Sequence, residues 1–301
     1  MALENQKGFV LHQRPELRSP LLVVALEGWP DAAGVSTGSL SYLRSRLQAR
    51  RFAEVLPDDF YVFTYIRPVV TTQDGVVKRL RFPRNEFFWW RNEKSLHDLI
   101  LFRGVEPHLQ WHRYVGLIME MAREFDVSAL YAIGGVYDMV PHTWEPMVSA
   151  VMNDESLKAR LQPHRVKFTS YEGPSSIHTS LLAACRDRGL PALSLWGHAP
   201  IYVRAEANPK VCLGLLRRMV GLLELDVDLT EVEEAAEYLD DTLSRFLEKN
   251  EELRLYVKQL EEACGAEGAE RPSPPRGMGK IIRDVEDFLR QEREKGQGSQ
   301  S

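Results

Sequence analysis

The chain has 301 residues, of which 44% are hydrophobic and 27% charged, and this suits one α/β domain with an accessory element. Its formal net charge of −5 argues against a general binder of nucleic acid or anionic membranes. The first 18 residues lack an apolar signal core, and no apolar run approaches the length that spans a bilayer, so we expect a cytoplasmic protein. Cys185, Cys212 and Cys264 form no Cys-x-x-Cys pair, and we expect reduced, packed thiols.

The most informative stretch begins with six apolar residues, Leu21 to Leu26, followed by Glu27-Gly28-Trp29-Pro30. A continuous apolar run of this length, closed by such a turn, is typical of a strand buried on both faces. Asp31 is a suitable cap for the Ala-, Gly- and Ser-rich helix that follows. The stretch therefore predicts the opening strand–turn–helix unit of an α/β domain.

Short apolar runs recur along the chain, and most are followed by a helical pattern. We predict an edge strand at 8–12, a hairpin around Asp74-Gly75, and core strands at 21–26, 61–65, 99–102, 129–133, 166–171 and 191–196. Helical patterns cover about 110–125, 175–189 and 208–224. Strands that alternate with helices predict a three-layer α/β/α sandwich with a largely parallel sheet.

The C-terminal part of the chain predicts a helical extension. Val232, Leu239, Phe246, Leu253 and Leu260 recur every seven residues, and a second set between them includes Asn250. This heptad seam predicts one long helix that packs on the chain's own 208–224 helix or on a neighbouring subunit, with Asn250 fixing the register. Leu239, Phe246, Asn250 and Leu253 are therefore candidates for a protein interface.

These patterns divide the chain into four parts. We predict a sandwich domain at 1–225, the heptad helix at 226–264, a flexible linker at 265–279, and a short amphipathic helix with a polar tail at 280–301.

Ligands of parallel sheets bind beyond the carboxyl ends of the strands. The candidate crevice residues there are Glu27, Glu106, His142, Glu172 and His198. Two interpretations stay open: these side chains cap turns and helices, or they serve as general acids and bases of an uncharacterised hydrolase or phosphorylase-like enzyme. We favour capping, because every α/β fold has such strand ends whether or not it is an enzyme.

Motif-like strings in the chain lack the context that their chemistry requires. Gly34 to Gly38 matches Gly-x-Ser-x-Gly, but Ser36 lies inside a predicted helix and not at the sharp turn of a hydrolase. His108 and His112 stand four apart, and with Glu106 they fall short of a zinc site. The chain has no glycine-rich phosphate loop of the known patterns. We therefore predict neither a metal nor a cofactor.

Four adjacent aromatic residues follow the basic hairpin: Phe87, Phe88, Trp89 and Trp90. Side chains of a strand alternate, so part of this set should face outward unless another element covers it. Basic and aromatic residues together suit single-stranded RNA, core packing or a protein interface. The net negative charge of the chain favours packing or a protein interface over nucleic acid, and we predict no nucleic-acid partner. We predict that these four residues lie in a protein interface.

Four short motifs occur in order along the chain: Glu27-Gly28-Trp29-Pro30-Asp31-Ala32-Ala33-Gly34, Arg103-Gly104-Val105-Glu106-Pro107, Gly134-Gly135 with Pro141-His142-Thr143, and Gly173-Pro174-Ser175-Ser176. Together they resemble the proteasome assembly chaperone two family over about residues 8–260. The resemblance implies an α/β/α sandwich similar to phosphorylase and peptidyl-hydrolase folds, without an established active site. It also implies homo-oligomers and partners such as the proteasome or another protein complex.

Members of that family that bind the proteasome can end in a hydrophobic-Tyr-any tripeptide, which Ser299-Gln300-Ser301 does not match. The resemblance therefore leaves the partner open. Our expectation is a non-catalytic protein-binding or assembly factor, homo-oligomeric and without membrane contact. The alternative is an enzyme with its site at the strand ends.

Overall fold

The computed structural model describes residues 4–6, 8–265 and 272–298. Its strands are β1 (Glu4–Gln6), β2 (Phe9–Leu11), β3 (Leu21–Glu27), β4 (Arg50–Val55), β5 (Val69–Gln73), β6 (Val76–Arg81), β7 (Asn85–Trp90), β8 (Leu99–Val105), β9 (Ala129–Asp138), β10 (Val148–Met152), β11 (Lys167–Phe168) and β12 (Ala192–Pro200). Its helices are α1 (Val35–Arg46), α2 (Trp111–Glu124), α3 (Leu157–Leu161), α4 (Ile177–Arg186), α5 (Pro209–Leu222), α6 (Thr230–Lys249), α7 (Glu251–Gly265) and α8 (Met278–Gly298).

Ten of the described strands form one sheet in the order β1-β2-β4-β7-β8-β3-β9-β12-β10-β11. The four central strands, β8, β3, β9 and β12, are parallel to one another. Antiparallel pairing adds β7, β4, β2 and β1 on one side and β10 on the other, and β11 runs parallel to β10 at the edge. β5 and β6 form a separate hairpin, as the Asp74-Gly75 turn predicts.

β3 lies at the centre of the sheet and contributes to two hydrophobic cores. Its odd-numbered residues from Leu21 pack with α1 and α5, whereas its even-numbered residues from Leu22 pack with α2 and α4. The six side chains at 21–26 are at most 3% exposed, so burial of each Leu or Val contributes roughly 1.5–3 kcal/mol. Helices thus cover both faces of the sheet, which confirms the predicted three-layer α/β/α sandwich.

One predicted core strand does not form, and another is shorter than predicted. Residues 61–65 form a loop that ends in a turn at 63–65, in which Tyr61 is buried and Tyr65 is 81% exposed. The Tyr61 hydroxyl donates to the Val105 carbonyl at 2.7 Å, so an apolar run can anchor a loop without forming a strand. The predicted strand at 166–171 shrinks to Lys167–Phe168 at the sheet edge, where the side chains are exposed.

Strands β1, β4 and β10 were absent from the prediction, and β7 was considered as a strand only through its four aromatic residues. β4 begins Arg50-Arg51 and contains Glu54, so it has no clean apolar alternation. Arg51 pairs across the sheet with Glu86 of β7 at 3.0 Å. Because cross-strand ion pairs satisfy these charges, polar residues occupy positions that a pattern of apolar residues alone cannot identify.

The predicted continuous heptad helix is broken at Asn250, which separates α6 from α7. Asn250 has an extended backbone with φ −130° and ψ 93°, and its Oδ1 accepts the Leu253 N–H at 2.9 Å. The side chain therefore caps α7 and does not fix the register of a coiled coil, because Asn readily replaces helical backbone bonds with its own.

The heptad seam is buried within the same chain. Val232 and Ala236 join the core around α5, whereas Leu239, Leu253 and Leu260 pack with Ile281 and Val285 of α8 in a third core. The predicted amphipathic helix thus extends over Met278–Gly298, and residues 266–271 of the predicted linker lie outside the described residues. In the described part of the chain, no helix has the length and apolar character needed to cross a bilayer.

Candidate interaction surface and ligand cavity

The central strand-end crevice is filled by the chain itself. The 28–34 turn, which joins β3 to α1, lies directly on β9, where Gly135 donates its N–H to the Pro30 carbonyl at 2.8 Å. A Cβ at Gly135 would stand 2.5 Å from the Ala32 carbonyl oxygen and 2.8 Å from Val35 Cβ. Gly135 is therefore required for this close approach, and the turn occupies space in which other α/β proteins bind ligands.

Asp31 and Glu106 cap helices at this end of the sheet. Asp31 Oδ1 accepts the N–H groups of Ser36 and Thr37 at 2.7 and 3.1 Å, and burial raises the pKa of Asp31 to about 6. Glu106 Oε1 accepts the Ile177 N–H at 3.0 Å at the start of α4, and burial raises the pKa of this carboxyl as well. A carboxylate at a helix N-terminus also stabilises the helix, because it interacts favourably with the positive end of the helix dipole.

Ser36 is a helix residue, as predicted, and its side chain is fully buried. Its hydroxyl donates to the Ile133 carbonyl and accepts the Leu26 N–H, so it joins β3 to β9. His108 Nδ1 accepts the Val62 N–H at 3.1 Å and so holds a loop. Among the described residues, no group of three or more His, Cys, Asp or Glu side chains is arranged to hold a metal ion.

The five candidate crevice residues are not brought together. Glu27 lines a groove at the base of the β5–β6 hairpin with Arg67, Arg81 and Arg103. Glu172 lies in an exposed loop. His142 and His198 instead line a separate cavity, and sequence patterns could not show this because the residues that complete it come from distant helices.

This cavity has a volume of about 470 Å³. It lies among the 140–148 segment, β12, α5, α6 and the end of α7. Its lining includes His142, Trp144, Pro146, His198, Lys210 and Arg218. Lys210 Nζ lies 2.6 Å from Asp240 Oδ2 and also donates to the His142 carbonyl, and Arg218 lies 2.9 Å from Glu145 Oε1.

A serine, a histidine and an aspartate form a hydrogen-bonded chain beside the cavity. His198 Nδ1 lies 2.7 Å from Asp138 Oδ2, and Nε2 lies 2.8 Å from Ser149 Oγ. These distances match a hydrolase triad. Ser149, however, is 4% exposed and sits inside the ladder between β12 and β11, not at a strand–helix turn that would supply oxyanion donors.

Two buried histidines are held neutral. Burial lowers the pKa of His178 to about 3, and burial together with the charge of Lys210 lowers the pKa of His142 to about 4. In the unfolded chain both rings have an ordinary pKa of about 6.5. A lowered folded-state pKa means that stability is complete above pH 6.5 and declines as the pH falls toward 4. Asp31, whose folded pKa is raised to about 6, offsets part of this loss as the pH falls.

We expect the His178→Asn variant to unfold with a weaker dependence on pH than the wild-type protein. The reason is that the unfolded wild type binds a proton at residue 178 near pH 5 that the folded protein excludes. The slope of the unfolding free energy against pH should fall by about 1.4 kcal/mol per pH unit around pH 5. Urea denaturation at pH 7, 6 and 5 measures it, and parallel slopes for the two proteins would contradict the assignment.

The β5–β6 hairpin is exposed along both strands. Cross-strand partners share a face, so Val70 and Leu80 lie on one side with Thr72 and Val77. Val70, Val77 and Leu80 are 52%, 63% and 53% exposed. The basic hairpin, as we call residues 67–84, therefore presents an unpartnered apolar face.

The basic hairpin also differs in charge from the rest of the chain. Its cations are Arg67, Lys78, Arg79, Arg81 and Arg84, and its one acid is Asp74. Its net charge of +4, subtracted from the total of −5, leaves −9 for the remainder. An isolated two-stranded hairpin is marginally stable, so a docking partner would stabilise this one.

The four adjacent aromatics lie in β7 and alternate between the two cores. Phe87 and Phe88 are 0% and 5% exposed, so the prediction that they contribute to an interface is wrong for these two residues. Trp89 and Trp90 are half-buried against opposite cores. Neighbouring strands and helices cover both faces of the sheet at these four residues.

The predicted interface residues of the C-terminal helices are largely internal. Leu239 and Leu253 are buried, and Phe246 is half-buried with its ring centroid 5.2 Å from that of Phe288. The outer face of α6 is acidic instead, and its exposed side chains include Glu234, Glu237, Tyr238 and Asp241. Their spacing of one to four residues places them along one side of the helix.

The fold and these surfaces define an α/β/α sandwich whose own turn occupies its central strand-end crevice. The chain belongs to the PAC2 family, because a family model described as PAC2 family matches residues 25–247. The resemblance seen in the ordered motifs is thereby confirmed. A search of curated proteins found no match.

Solved structures give the same assignment. A PAC2 family protein from Streptomyces avermitilis is 31% identical, with a TM-score of 0.72, over 79% of this chain and 99% of that one. A proteasome-assembly chaperone homologue from Mycobacterium tuberculosis is 29% identical, with a TM-score of 0.73 and the same coverage. The archaeal proteasome activator PbaB of Pyrococcus furiosus shares the fold at 23% identity, with a TM-score of 0.63, over 79% of this chain and 97% of that one.

Proposed function

We propose that this protein is a non-catalytic, cytoplasmic protein-binding or assembly factor that works as a homo-oligomer. The observation that carries the proposal is the basic hairpin, whose apolar face is exposed and unpartnered within the described chain. Related structures described as a proteasome-assembly chaperone homologue and a proteasome activator support a multi-subunit complex as the client. The proteasome itself is one candidate client.

The partner of the basic hairpin is a second copy of the same chain. Charge complementarity supports this choice, because the hairpin carries +4 and the rest of the chain −9. The acidic outer face of α6, with Glu234, Glu237 and Asp241, fits the cations Arg79 and Arg81 of β6. Because Arg79 and Arg81 pair with Thr71 and Val69, they lie on the face of the hairpin opposite Val70 and Leu80, so the partner contacts both faces of the hairpin. A contact between two different surfaces is heterologous, and it gives a ring when the rotation between copies closes and a filament when it does not. The oligomer that we propose is the closed ring.

Light scattering coupled to size-exclusion chromatography tests the oligomer on the full chain. We expect a mass of three or more subunits at micromolar concentration, with dissociation as salt rises, because the contact is partly ionic. A mass of one subunit at every concentration up to about 100 µM would contradict the proposal, since specific complexes bind well below that value.

A fluorophosphonate probe tests the non-catalytic part of the proposal. Ser149 is 4% exposed and lies within the sheet ladder, so we expect no covalent labelling. Neither the wild-type protein nor the Ser149→Ala variant should gain the mass of the probe after incubation. Labelling of the wild type that disappears in Ser149→Ala would show a reactive serine and restore the hydrolase alternative.

A further inference from the structure

We propose that the 470 Å³ cavity is a binding site for a small organic anion, a carboxylate or phosphate attached to an apolar body. The cavity size lies within the range of small-molecule sites. The proposal stands on hydrogen-bond donors that the protein leaves unused, on the charge balance of the lining and on its apolar wall.

His142 supplies the first unused donor. The backbone N–H of His142 donates to the Tyr202 hydroxyl oxygen at 2.8 Å, and His142 Nδ1 lies 2.8 Å from the same oxygen. Tyr202 is fully buried, so its proton must point to an acceptor, and Nδ1 is the acceptor at hand. The proton of the neutral ring is then on Nε2, which has no hydrogen-bond partner and belongs to a side chain that lines the cavity.

Arg218 supplies the second donor and part of the charge. Its side chain is buried, and its Nε has no partner, although its two NH groups bind Glu145 and the Gly214 carbonyl. The lining contains four cations, Arg165, Lys167, Lys210 and Arg218, against the two acids Glu145 and Asp240. This positive surplus in a chain of net charge −5 favours an anion.

The apolar part of the cavity wall indicates which group should be attached to the anion. Trp144, Pro146, Val148, Leu239 and Leu243 provide the apolar part of the lining. An inorganic anion would leave this surface in contact with water, whereas an aromatic or branched acid would cover it. α6 and the end of α7 form one side, so an occupant would also join the C-terminal helices to the sandwich.

Calorimetric titration of the full chain with phenylacetate, phenyl phosphate, inorganic phosphate and neutral 2-phenylacetamide tests the proposal. We expect the two aromatic anions to bind with millimolar or tighter dissociation constants, and phosphate and the amide to bind at least tenfold more weakly. The ¹⁵N resonance of His142 Nε2 should shift on addition of phenylacetate. Equal affinity for phenylacetate and its amide, or no binding of either aromatic anion, would overturn the proposal.

A double variant at the mouth separates this site from general surface binding. Arg165 and Lys167 are exposed, so Arg165→Gln with Lys167→Gln should leave folding intact and weaken phenylacetate binding about fivefold by removing two charges. The matched control is Arg186→Gln with Arg188→Gln, two exposed cations at the end of α4 that do not line the cavity. An unchanged affinity in the mouth variant, or an equal loss in the control, would place the anion elsewhere.

Discussion

The triple variant Val70→Thr, Val77→Thr and Leu80→Thr should separate the proposed oligomer into monomers. These side chains form the exposed apolar face of the basic hairpin, and each is more than half exposed in the single chain. In a docked complex each would lose most of its contact with water, and burial of a Val or Leu contributes roughly 1.5–3 kcal/mol. Threonine keeps the β propensity, so the hairpin itself should remain.

We expect the dissociation constant of the triple variant to rise at least a hundredfold, measured by light scattering over a dilution series. Leu96→Thr is the matched control, since Leu96 is 82% exposed in a loop away from the hairpin strands. The thermal midpoint of the monomer should change little, because surface substitutions away from packed sites are usually small in effect. A triple variant that keeps the wild-type mass would remove the hairpin from the contact.

The Gly135→Ala variant should be destabilised by about 1–3 kcal/mol, through overpacking against backbone that cannot move aside. The added Cβ would stand 2.5 Å from the Ala32 carbonyl oxygen, which is held by the turn between β3 and α1. Either the turn must rise from β9 or the strand must bend. Both movements disturb the hydrogen bond between Gly135 and Pro30 and the caps that Asp31 provides.

Gly116→Ala is the control for this experiment. Gly116 lies inside α2, and a Cβ there would meet no atom within 4 Å. Alanine should therefore stabilise the protein by about 0.5–1 kcal/mol, the usual gain over glycine within a helix. Urea denaturation compares the two variants. Equal stability of Gly135→Ala and wild type would show that the turn does not depend on its close contact with β9.

The sequence was sufficient for the centre of the fold because that part is encoded locally. The continuous apolar run at Leu21–Leu26 is typical of a strand covered on both sides, and β3 has that position. The strand beside β7 was missed because β4 carries charges that become satisfied only when the two strands meet, as Arg51 does with Glu86. Asn250 falls on a heptad position, so the sequence pattern favours a coiled-coil residue. Its actual role as a helix cap depends on where the chain turns.

The candidate sites depended on tertiary geometry even more strongly. His142 and His198 were identified at strand ends, but their cavity is completed by Lys210 and Arg218 of α5 and by the end of α7. Ser149, which completes the hydrogen-bonded chain with His198, carries no local signal because it is a serine within a strand. The basic hairpin, in contrast, was readable in the sequence, since Asp-Gly flanked by Val pairs favours a tight turn.

A charge-swap experiment tests the central claim, that this protein acts by docking its basic hairpin on the acidic helix of another copy. One variant carries Lys78→Glu, Arg79→Glu and Arg81→Glu, and the other carries Glu234→Lys, Glu237→Lys and Asp241→Lys. We expect each variant alone to be monomeric by light scattering, because like charges then face each other across the contact. An equimolar mixture should form a heteromeric species, in which the reversed hairpin of one variant meets the reversed helix of the other. A mixture that stays monomeric, or single variants that keep the wild-type mass, would contradict it.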